Sequence, residues 1–305
     1  MKTLLKHILV IIVICQSLLV DGQNYIDLAK LHYAVTPFNA PENDTLNVIP
    51  STQIIEFGTD LTTPIVLKNK NVIISGIIYD QINLKTENSN KLFYTVNPKI
   101  GIKFKNSASI NTTLVALPKL SSDLKSINAH HFQIGAIALW DFQKKENLKY
   151  KFGMYYNQEL FGHFFVPLFG FYYLSSNHKL EVNFTLPVSA QLNYRLNAGL
   201  STGISFNSFV RSYYMGDINN HYMVKTSNEL FATLQLHLKS YHLVLEPQAG
   251  YSIGRSYRAY QSSDKIDFGL SAFKFGDDRT PLNHDFSDGL IFKIRLLYRF
   301  MMENN

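Results

Sequence analysis

Cysteine is almost absent from this chain, because Cys15 is the only such residue among 305. So little thiol excludes a disulfide framework, and beyond Cys15 it also excludes zinc–thiolate sites and a cysteine nucleophile. Long apolar runs are also missing after the first 22 residues. The longest, Phe164–Leu174, contains Pro167 and Gly170 and is shorter than the roughly 18–20 residues of a spanning helix. The sequence after residue 22 therefore predicts no transmembrane helix.

The N-terminus has the pattern of a secretory leader. Lys2 and Lys6 precede the apolar stretch Ile8–Val20, and Val20-Asp21-Gly22 supplies the small or aliphatic residues of a cleavage site. We expect cleavage after Gly22, which gives a signal peptide of residues 1–22 followed by one domain of residues 23–305. The alternative is an anchor helix that is not cleaved.

Charge and composition exclude several classes of partner. The formal net charge is +6, but lysine and arginine are spread singly along the chain, so we expect no nucleic-acid partner. No glycine-rich phosphate loop is present, and we expect no cofactor. The 22 phenylalanines and 18 tyrosines suit the aromatic girdles of a membrane interface better than an average soluble core.

The segment near the C-terminus shows the clearest structural pattern. Apolar residues occupy every second position from Leu290 to Phe300, and Lys293, Arg295 and Arg299 lie between them, although Ile291 and Leu297 interrupt the polar phase. A period of two is typical of a β-strand with two unlike faces. One face suits hydrocarbon and the other tolerates water, as in a strand that separates lipid from an aqueous lumen.

The same period recurs along most of the chain. It is seen in residues 55–65, 92–104, 148–156, 180–194, 230–238 and 243–253. We therefore predict an all-β fold, a single antiparallel transmembrane β-barrel of about 12 strands within a range of roughly 10–14. The uncertain segments are Ser189–Phe209 and Lys265–Phe275, each of which is either a strand pair or an inward-folded loop.

Turn lengths alternate in the predicted strand order. Short turns are expected near residues 69, 106, 146, 177 and 240, and longer segments at 39–51, 84–91, 121–130, 158–163, 214–226 and 255–288. This asymmetry is typical of short periplasmic turns and longer extracellular loops. A soluble lipocalin-like barrel is the alternative, but about twelve long strands would leave it a wide interior to fill with side chains.

Three stretches carry a family resemblance. They are Tyr25-Ile26-Asp27-Leu28, Glu146-Asn147-Leu148-Lys149-Tyr150, and Asp264–Phe273 continuing into Phe275–Thr280. The chain resembles a family of uncharacterised Gram-negative outer-membrane β-barrel proteins, classed as a domain of unknown function. The resemblance implies the fold and an outer-membrane location, and it implies no reaction. Expected partners are outer-membrane lipid and, during biogenesis, the barrel-assembly machinery.

The polar phase of the strands supplies candidate lumen-lining residues. They are Lys99, Lys103, Lys119, Lys149, Lys151, Glu181, Glu246, Lys293 and Arg295, with Arg299, Glu56, Asp60 and Glu229 in the same phase. Because basic residues outnumber acidic ones, an open lumen would favour anions. Alternatively, the charges neutralise one another across a plugged interior.

The segment Arg255–Asp288 is the densest in charge. Its candidate residues are Arg255, Arg258, Asp264, Asp267, Asp277, Asp278 and Arg279. One hypothesis is a loop that folds into the mouth and narrows the pore, with opposed charges setting a transverse field. The other is a solvated loop held by its own ion pairs. The spacing of Asp277, Asp278 and Asp285 does not match an EF-hand, and we expect no metal.

Catalysis has little support in the sequence. Ser121, Ser122, His130 and His131 share one loop region and form the only candidate for a hydrolase at the barrel rim. We therefore expect no enzyme. The leading hypothesis is passive passage of small solutes through a narrow lumen. A closed structural or surface-binding barrel is the first alternative, and a rim hydrolase is the second.

Overall fold

The computed structural model describes residues 25–37, 53–85, 90–126, 131–216, 221–238, 242–283 and 286–301. The predicted signal peptide and His130 lie outside these residues. Within the described ranges the chain forms sixteen strands that belong to one sheet. No helix in those ranges is long and apolar enough to cross a bilayer.

The strands follow one another along the chain with few long connections. They are β1 (Tyr25–Thr36), β2 (Gln53–Val66), β3 (Val72–Lys85), β4 (Asn90–Lys105), β5 (Ile110–Ser122), β6 (Phe132–Lys145), β7 (Leu148–Glu159), β8 (Gly162–Leu174), β9 (Leu180–Leu186), β10 (Ser189–Arg195), β11 (Leu200–Tyr214), β12 (His221–Leu238), β13 (Leu243–Gln261), β14 (Phe268–Leu270), β15 (Phe273–Phe275) and β16 (Gly289–Met301).

Fourteen of the described strands close into an antiparallel barrel. Strands β1 to β13 pair in sequence order, β13 pairs with β16, and β16 pairs with β1. The small hairpin β14–β15 stands outside this ring and joins it through β8. Fourteen strands are more than the central prediction of about twelve and lie at the upper end of the predicted range of roughly 10–14. The segment Leu180–Tyr194, which the pattern presents as one strand, is the hairpin β9–β10.

The connections sort by length between the two ends of the barrel. At one end, here called the turn end, short turns join β2–β3, β4–β5, β6–β7, β8–β9 and β10–β11, and β1 and β16 begin and finish there. The opposite end, here called the loop end, carries the longer connections. Three connections depart from this rule: only residues 86–89 join β3 to β4, only Leu160-Phe161 joins β7 to β8, and only Pro187-Val188 joins β9 to β10. The expected long loops at 84–91 and 158–163 are therefore wrong.

The two faces of the barrel wall have opposite chemistry. On β16, Leu290 and Phe292 are 56% and 51% exposed, and Lys293 between the apolar positions turns inward to Glu229. The same phase holds around the barrel. Large apolar side chains exposed on the outside include Leu31, Tyr33, Leu61, Ile77, Ile100, Leu114, Ile134, Trp140, Phe152, Phe169, Ile204, Leu230 and Tyr251. The barrel is apolar outside and charged inside, the reverse of a soluble barrel.

Candidate functional site

The loop end of the lumen is crossed by part of the barrel itself. The paired segments Phe209–Tyr214 of β11 and Tyr222–Ser227 of β12, here called the crossing hairpin, reach β5 across the lumen, while Tyr222–Thr226 stays paired with Ser256–Tyr260 of β13. Tyr214 forms a parallel bridge with Ser122, and the Asp123 N–H donates to the Tyr214 carbonyl at 3.0 Å. Strand β5 lies six strands from β11 in the order of the fourteen-stranded ring. The hairpin therefore spans the interior from one wall to nearly the opposite one.

A buried polar cluster holds the hairpin to that opposite wall. The Lys119 ammonium lies 2.8 Å from Glu159 Oε1, and both residues are 3% exposed. The Ser212 N–H donates to Glu159 Oε2 at 2.7 Å, and Asn157 also donates to this carboxylate. Gln133 Nε2 donates to the Ser212 carbonyl at 3.3 Å. One carboxylate thus joins β5 and β7 to the edge of β11 that extends beyond its pairing with β10.

Apolar side chains seal one side of the crossing hairpin. Tyr213 and Met223 pack against Ile54, Ile82 and Phe93 on the inner wall of β2, β3 and β4. The rings of Phe93 and Tyr213 lie 5.4 Å apart between centroids. Large side chains buried from water in this way contribute on the order of 2 kcal/mol each.

The other side of the hairpin is sealed in the same manner. Tyr222 and Val224 pack against Phe164, Val166 and Leu168 of β8 in a second buried cluster. Both faces of the hairpin are therefore covered by the barrel wall. In this conformation the loop end of the lumen is filled by side chains.

A chamber of about 290 Å³ lies in the lumen below the hairpin. Its lining includes charged groups that pair across the lumen. Lys225 reaches Glu56 at 2.6 Å, and Arg211 reaches Asp80 at 2.5 Å. Both cations belong to the crossing hairpin and both carboxylates to the wall. The hairpin therefore neutralises the acidic side of the chamber.

A layer of hydrogen bonds separates this chamber from a cavity at the turn end. Fully buried Glu246 accepts from Arg295 Nη1 at 2.8 Å, from Gln248 Nε2 at 2.6 Å and from Gln235 Nε2 at 2.5 Å. Arg295 and Gln248 line the chamber, whereas Gln235 lines the lower cavity of about 660 Å³. That cavity opens among the turns and includes Glu181, which accepts from Tyr25 Oη at 2.9 Å.

The structure distributes the predicted lumen-lining residues over the whole height of the barrel. Lys293 pairs with Glu229 at 2.7 Å. Lys99 contacts Asp60 and Thr62, and Lys151 donates to Asn183 at 2.5 Å. Lys149 is buried on β7, and Lys103 occupies the inward phase of β4 together with Lys99. Sequence reasoning missed His32, Asp80, Arg211 and Lys225, which line the chamber.

The predicted charged loop is shorter than expected. Strand β13 extends to Gln261, so Arg255 and Arg258 belong to a strand and not to the loop. Arg255 is buried, and its guanidinium donates to the Ser287 carbonyl at 2.7 Å. The boundary was misplaced because glycine and arginine interrupt the alternation at Gly254-Arg255.

The remaining charges of this segment lie close to the crossing hairpin. Arg279 binds Asp277 at 2.7 Å and stacks over Tyr260 at 4.4 Å, and its hydrogen bonds hold the pKa of Asp277 below the ordinary value. The Asp264 carbonyl accepts from Tyr222 Oη at 2.6 Å. The Asp267 N–H, just before β14, donates to the Phe275 carbonyl at 3.0 Å, and Asp278 is exposed.

Three residues of the hypothetical rim hydrolase, Ser121, Ser122 and His131, are buried where the crossing hairpin meets β5. The Ser121 hydroxyl lies 2.9 Å from Thr95 Oγ1, and the His131 ring lies 4.3 Å from Tyr214 between centroids. Ser121, Ser122 and His131 have no exposed surface. Among the described residues, no group of three His, Asp or Glu side chains could hold a metal ion.

Comparison with known proteins gives one family and several distant folds. Residues 69–299 match the family described as Domain of unknown function (DUF6268), and no curated protein matches the chain. A deltaS2S3 mutant of the monoaromatic hydrocarbon channel TodX has a TM-score of 0.42 at 11% identity, with 90% of each chain covered. The Pseudomonas putida toluene transporter TodX has a TM-score of 0.37 at 9% identity, with 88% of each chain covered. The NanC porin has a TM-score of 0.34 at 9% identity, with 88% of this chain and 98% of that chain covered.

Proposed function

This chain belongs to the family described as Domain of unknown function (DUF6268), and we propose that it is an outer-membrane barrel with a gated passage for small solutes. The crossing hairpin is the gate, and it is shut in this structure. The bridge between Tyr214 and Ser122, across the lumen, is the observation that supports this proposal most strongly. The loop end faces the cell exterior and the turn end faces the periplasm.

The exterior of the barrel supports the membrane placement. Apolar side chains alternate outward on strands of 12 to 19 residues, apart from the short hairpin β9–β10, and a tilted strand needs about 9–11 residues to cross a bilayer. Outer-membrane lipid is then the medium around Ile100, Phe152 and their neighbours. The leader of residues 1–22 directs export, and the barrel-assembly machinery inserts the domain of residues 23–305.

The interior supports polar rather than apolar cargo. The proposed lining consists of Lys99, Lys103, Lys119, Lys149, Lys151, Glu181, Glu246, Lys293 and Arg295, and the chamber of about 290 Å³ limits the solute to a small molecule. Four cations of the lumen, Lys119, Lys225, Lys293 and Arg295, each lie within 2.8 Å of a carboxylate oxygen. These four cations are therefore neutralised locally in the closed state.

A permanently closed structural barrel is the second candidate. The observation that favours it is the burial of the Lys119–Glu159 pair, because a hairpin tied by a buried ion pair is difficult to move. The two candidates differ in one property: the crossing hairpin moves in a gated passage and stays fixed in a permanently closed barrel.

A disulfide between the hairpin and β5 distinguishes them. Ser122 and Tyr214 are bridge partners, so cysteines there lie at the roughly 5 Å spacing that a disulfide spans. We make Ser122→Cys and Tyr214→Cys in the chain of residues 23–305, which has no cysteine of its own. In planar bilayers we expect channel openings under reducing conditions and none after oxidation.

The single variant Ser122→Cys is the matched control, and it should conduct equally in both states. Openings that continue after complete oxidation of the double variant would show that solutes do not pass by hairpin movement. A barrel that is silent in the reduced state as well would favour the structural candidate.

A further inference from the structure

The barrel wall has a step at the hairpin β9–β10. These strands are only seven residues long, whereas their neighbours β8 and β11 have 13 and 15 residues. Pairing of β8 with β9 reaches only from Leu174 to Phe169. Between β8 and β11, the ring of fourteen strands therefore has no strand at the level of Gly162–Leu168.

The hairpin β14–β15 occupies the edge of β8 at this step. Strand β14 runs parallel to β8 and pairs Phe268 with His163 and Leu270 with Phe165. The Ser271 N–H donates to the Phe165 carbonyl at 2.8 Å, and the Ile266 N–H donates to the Phe161 carbonyl at 2.9 Å. A segment of the long connection between β13 and β16 thereby extends the wall.

One face of the hairpin β14–β15 points to the inside of the barrel, and the other face points to the outside. Gly269 faces inward onto Phe164, and a Cβ at this glycine would lie 2.4 Å from the Phe164 ring. Lys274, which is paired with Gly269, shares that inward phase. The opposite phase is apolar and exposed, and it consists of Phe268, Leu270, Phe273 and Phe275.

The exposed face is large for a loop. Phe273 is 70% exposed, and the rings of Phe268 and Phe275 stack at 4.5 Å between centroids. Four neighbouring apolar side chains on a water-exposed loop would be an unusual solvated surface. An apolar partner therefore covers these four side chains.

The position of this face along the barrel identifies the occupant. Leu270 pairs with Phe165, Phe165 pairs with Tyr156, and Tyr156 pairs with Ala136 on β6. Further toward the loop end of β6, Ile134 and Phe132 are still outward and 49% and 64% exposed. The exposed face of β14–β15 thus lies within the apolar band of the barrel and continues it.

We propose that β14–β15 is a membrane-facing panel of the barrel wall, and that Phe268, Leu270, Phe273 and Phe275 contact the acyl chains of the outer leaflet. The panel covers the step above β9–β10 and separates those acyl chains from the buried cluster around Phe164 and Tyr222. This inference rests on the proposed outer-membrane placement of the barrel.

Quenching of tryptophan by brominated acyl chains tests the panel. The native chain has one tryptophan, Trp140, which is outward on β6 and serves as the reference. Two variants move it, one with Trp140→Phe and Phe273→Trp, and the other with Trp140→Phe and Thr280→Trp. Each protein is folded into vesicles of phosphatidylcholine with and without bromine on the acyl chains. Position 280 belongs to the same connection but lies beyond the panel.

We expect strong loss of emission at positions 140 and 273 and little at position 280. Quenching at 140 together with a weak, 280-like response at 273 would overturn the panel and leave the membrane placement standing. An unquenched Trp140 in the folded native protein would overturn the membrane placement itself, and the panel with it.

Discussion

Removal of the crossing hairpin should turn a mostly silent barrel into a steadily conducting pore. In this variant Phe209–Ser227 is deleted and Ser208 is joined to Asn228 through two glycines. Ser208 and Asn228 are antiparallel partners, so a two-residue turn can close the hairpin there. The two apolar clusters at the loop end lose Tyr213, Met215, Tyr222, Met223 and Val224, and of the inward side chains on β13 they keep Tyr257 and Tyr260. A barrel of this size without a plug leaves an aqueous channel, and we expect conductance in planar bilayers to rise roughly tenfold or more.

The ion selectivity of the deletion variant provides an internal check. The deletion removes Arg211 and Lys225, which leaves Asp80 and Glu56 without these cations. The opened pore should therefore prefer cations, measured by reversal potential in a salt gradient. Adding Asp80→Asn and Glu56→Gln to the same deletion should abolish the preference. A deletion variant that conducts no more than the native protein would contradict the assignment of this hairpin as the obstruction.

The second large effect is expected at the buried attachment of the hairpin. Glu159→Gln retains an oxygen that accepts from the Ser212 N–H, but it leaves the Lys119 ammonium buried without a counter-charge. Breaking a buried pair from one side costs about 3–5 kcal/mol. We expect a loss of this size in the free energy of unfolding in vesicles, measured by urea titration, together with more frequent channel openings.

The double variant Lys119→Met with Glu159→Gln is the control for this effect. It leaves no unpaired charge in the interior, so most of the lost stability should return. The Lys119–Glu159 pair then fixes the position of the hairpin but adds little to the free energy of unfolding. If the double variant is as unstable as Glu159→Gln alone, the buried ammonium is not the cause and this account of the attachment is wrong.

The fold class follows from the alternation of residues, and the structure confirms an all-β barrel. The family match likewise confirms the resemblance found in the sequence. One strand was lost from the predicted number because the turn at β9–β10 is invisible to a period of two. Thr185 pairs with Ser189, and three residues separate them. Because the number of residues between these partners is odd, the apolar side chains of β9 and β10 fall on the same alternating positions of the sequence. The alternation therefore continues unbroken through the turn, and Leu180–Tyr194 has the pattern of one continuous strand.

The sequence of the crossing hairpin contains a local pattern that differs from the alternation of the other strands. Tyr213, Tyr214 and Met215 are consecutive and all buried, as are Tyr222, Met223 and Val224. A run of buried residues without alternation indicates a strand covered on both faces. Such a run predicts that these strand ends leave the lipid-facing wall, but it does not predict the contact with β5.

The partners of the lumen charges could not be predicted from the sequence. Glu56 and Lys225 both occupy polar positions on their strands, yet they are 169 residues apart in the chain. Their meeting depends on the inward bend of the crossing hairpin. Periodicity identifies the face that a charge occupies, whereas the shape of the closed lumen decides which opposite charge neutralises it.

The apolar exterior in contact with acyl chains is the central claim, and folding from urea tests it most directly. The chain of residues 23–305 is diluted into plain buffer and, in parallel, into lipid vesicles, and its state is followed by far-UV circular dichroism and light scattering. We predict a β-sheet spectrum and protection from protease in vesicles, and aggregation in plain buffer. A monomeric, fully β-structured protein that remains in solution without lipid or detergent would contradict the claim.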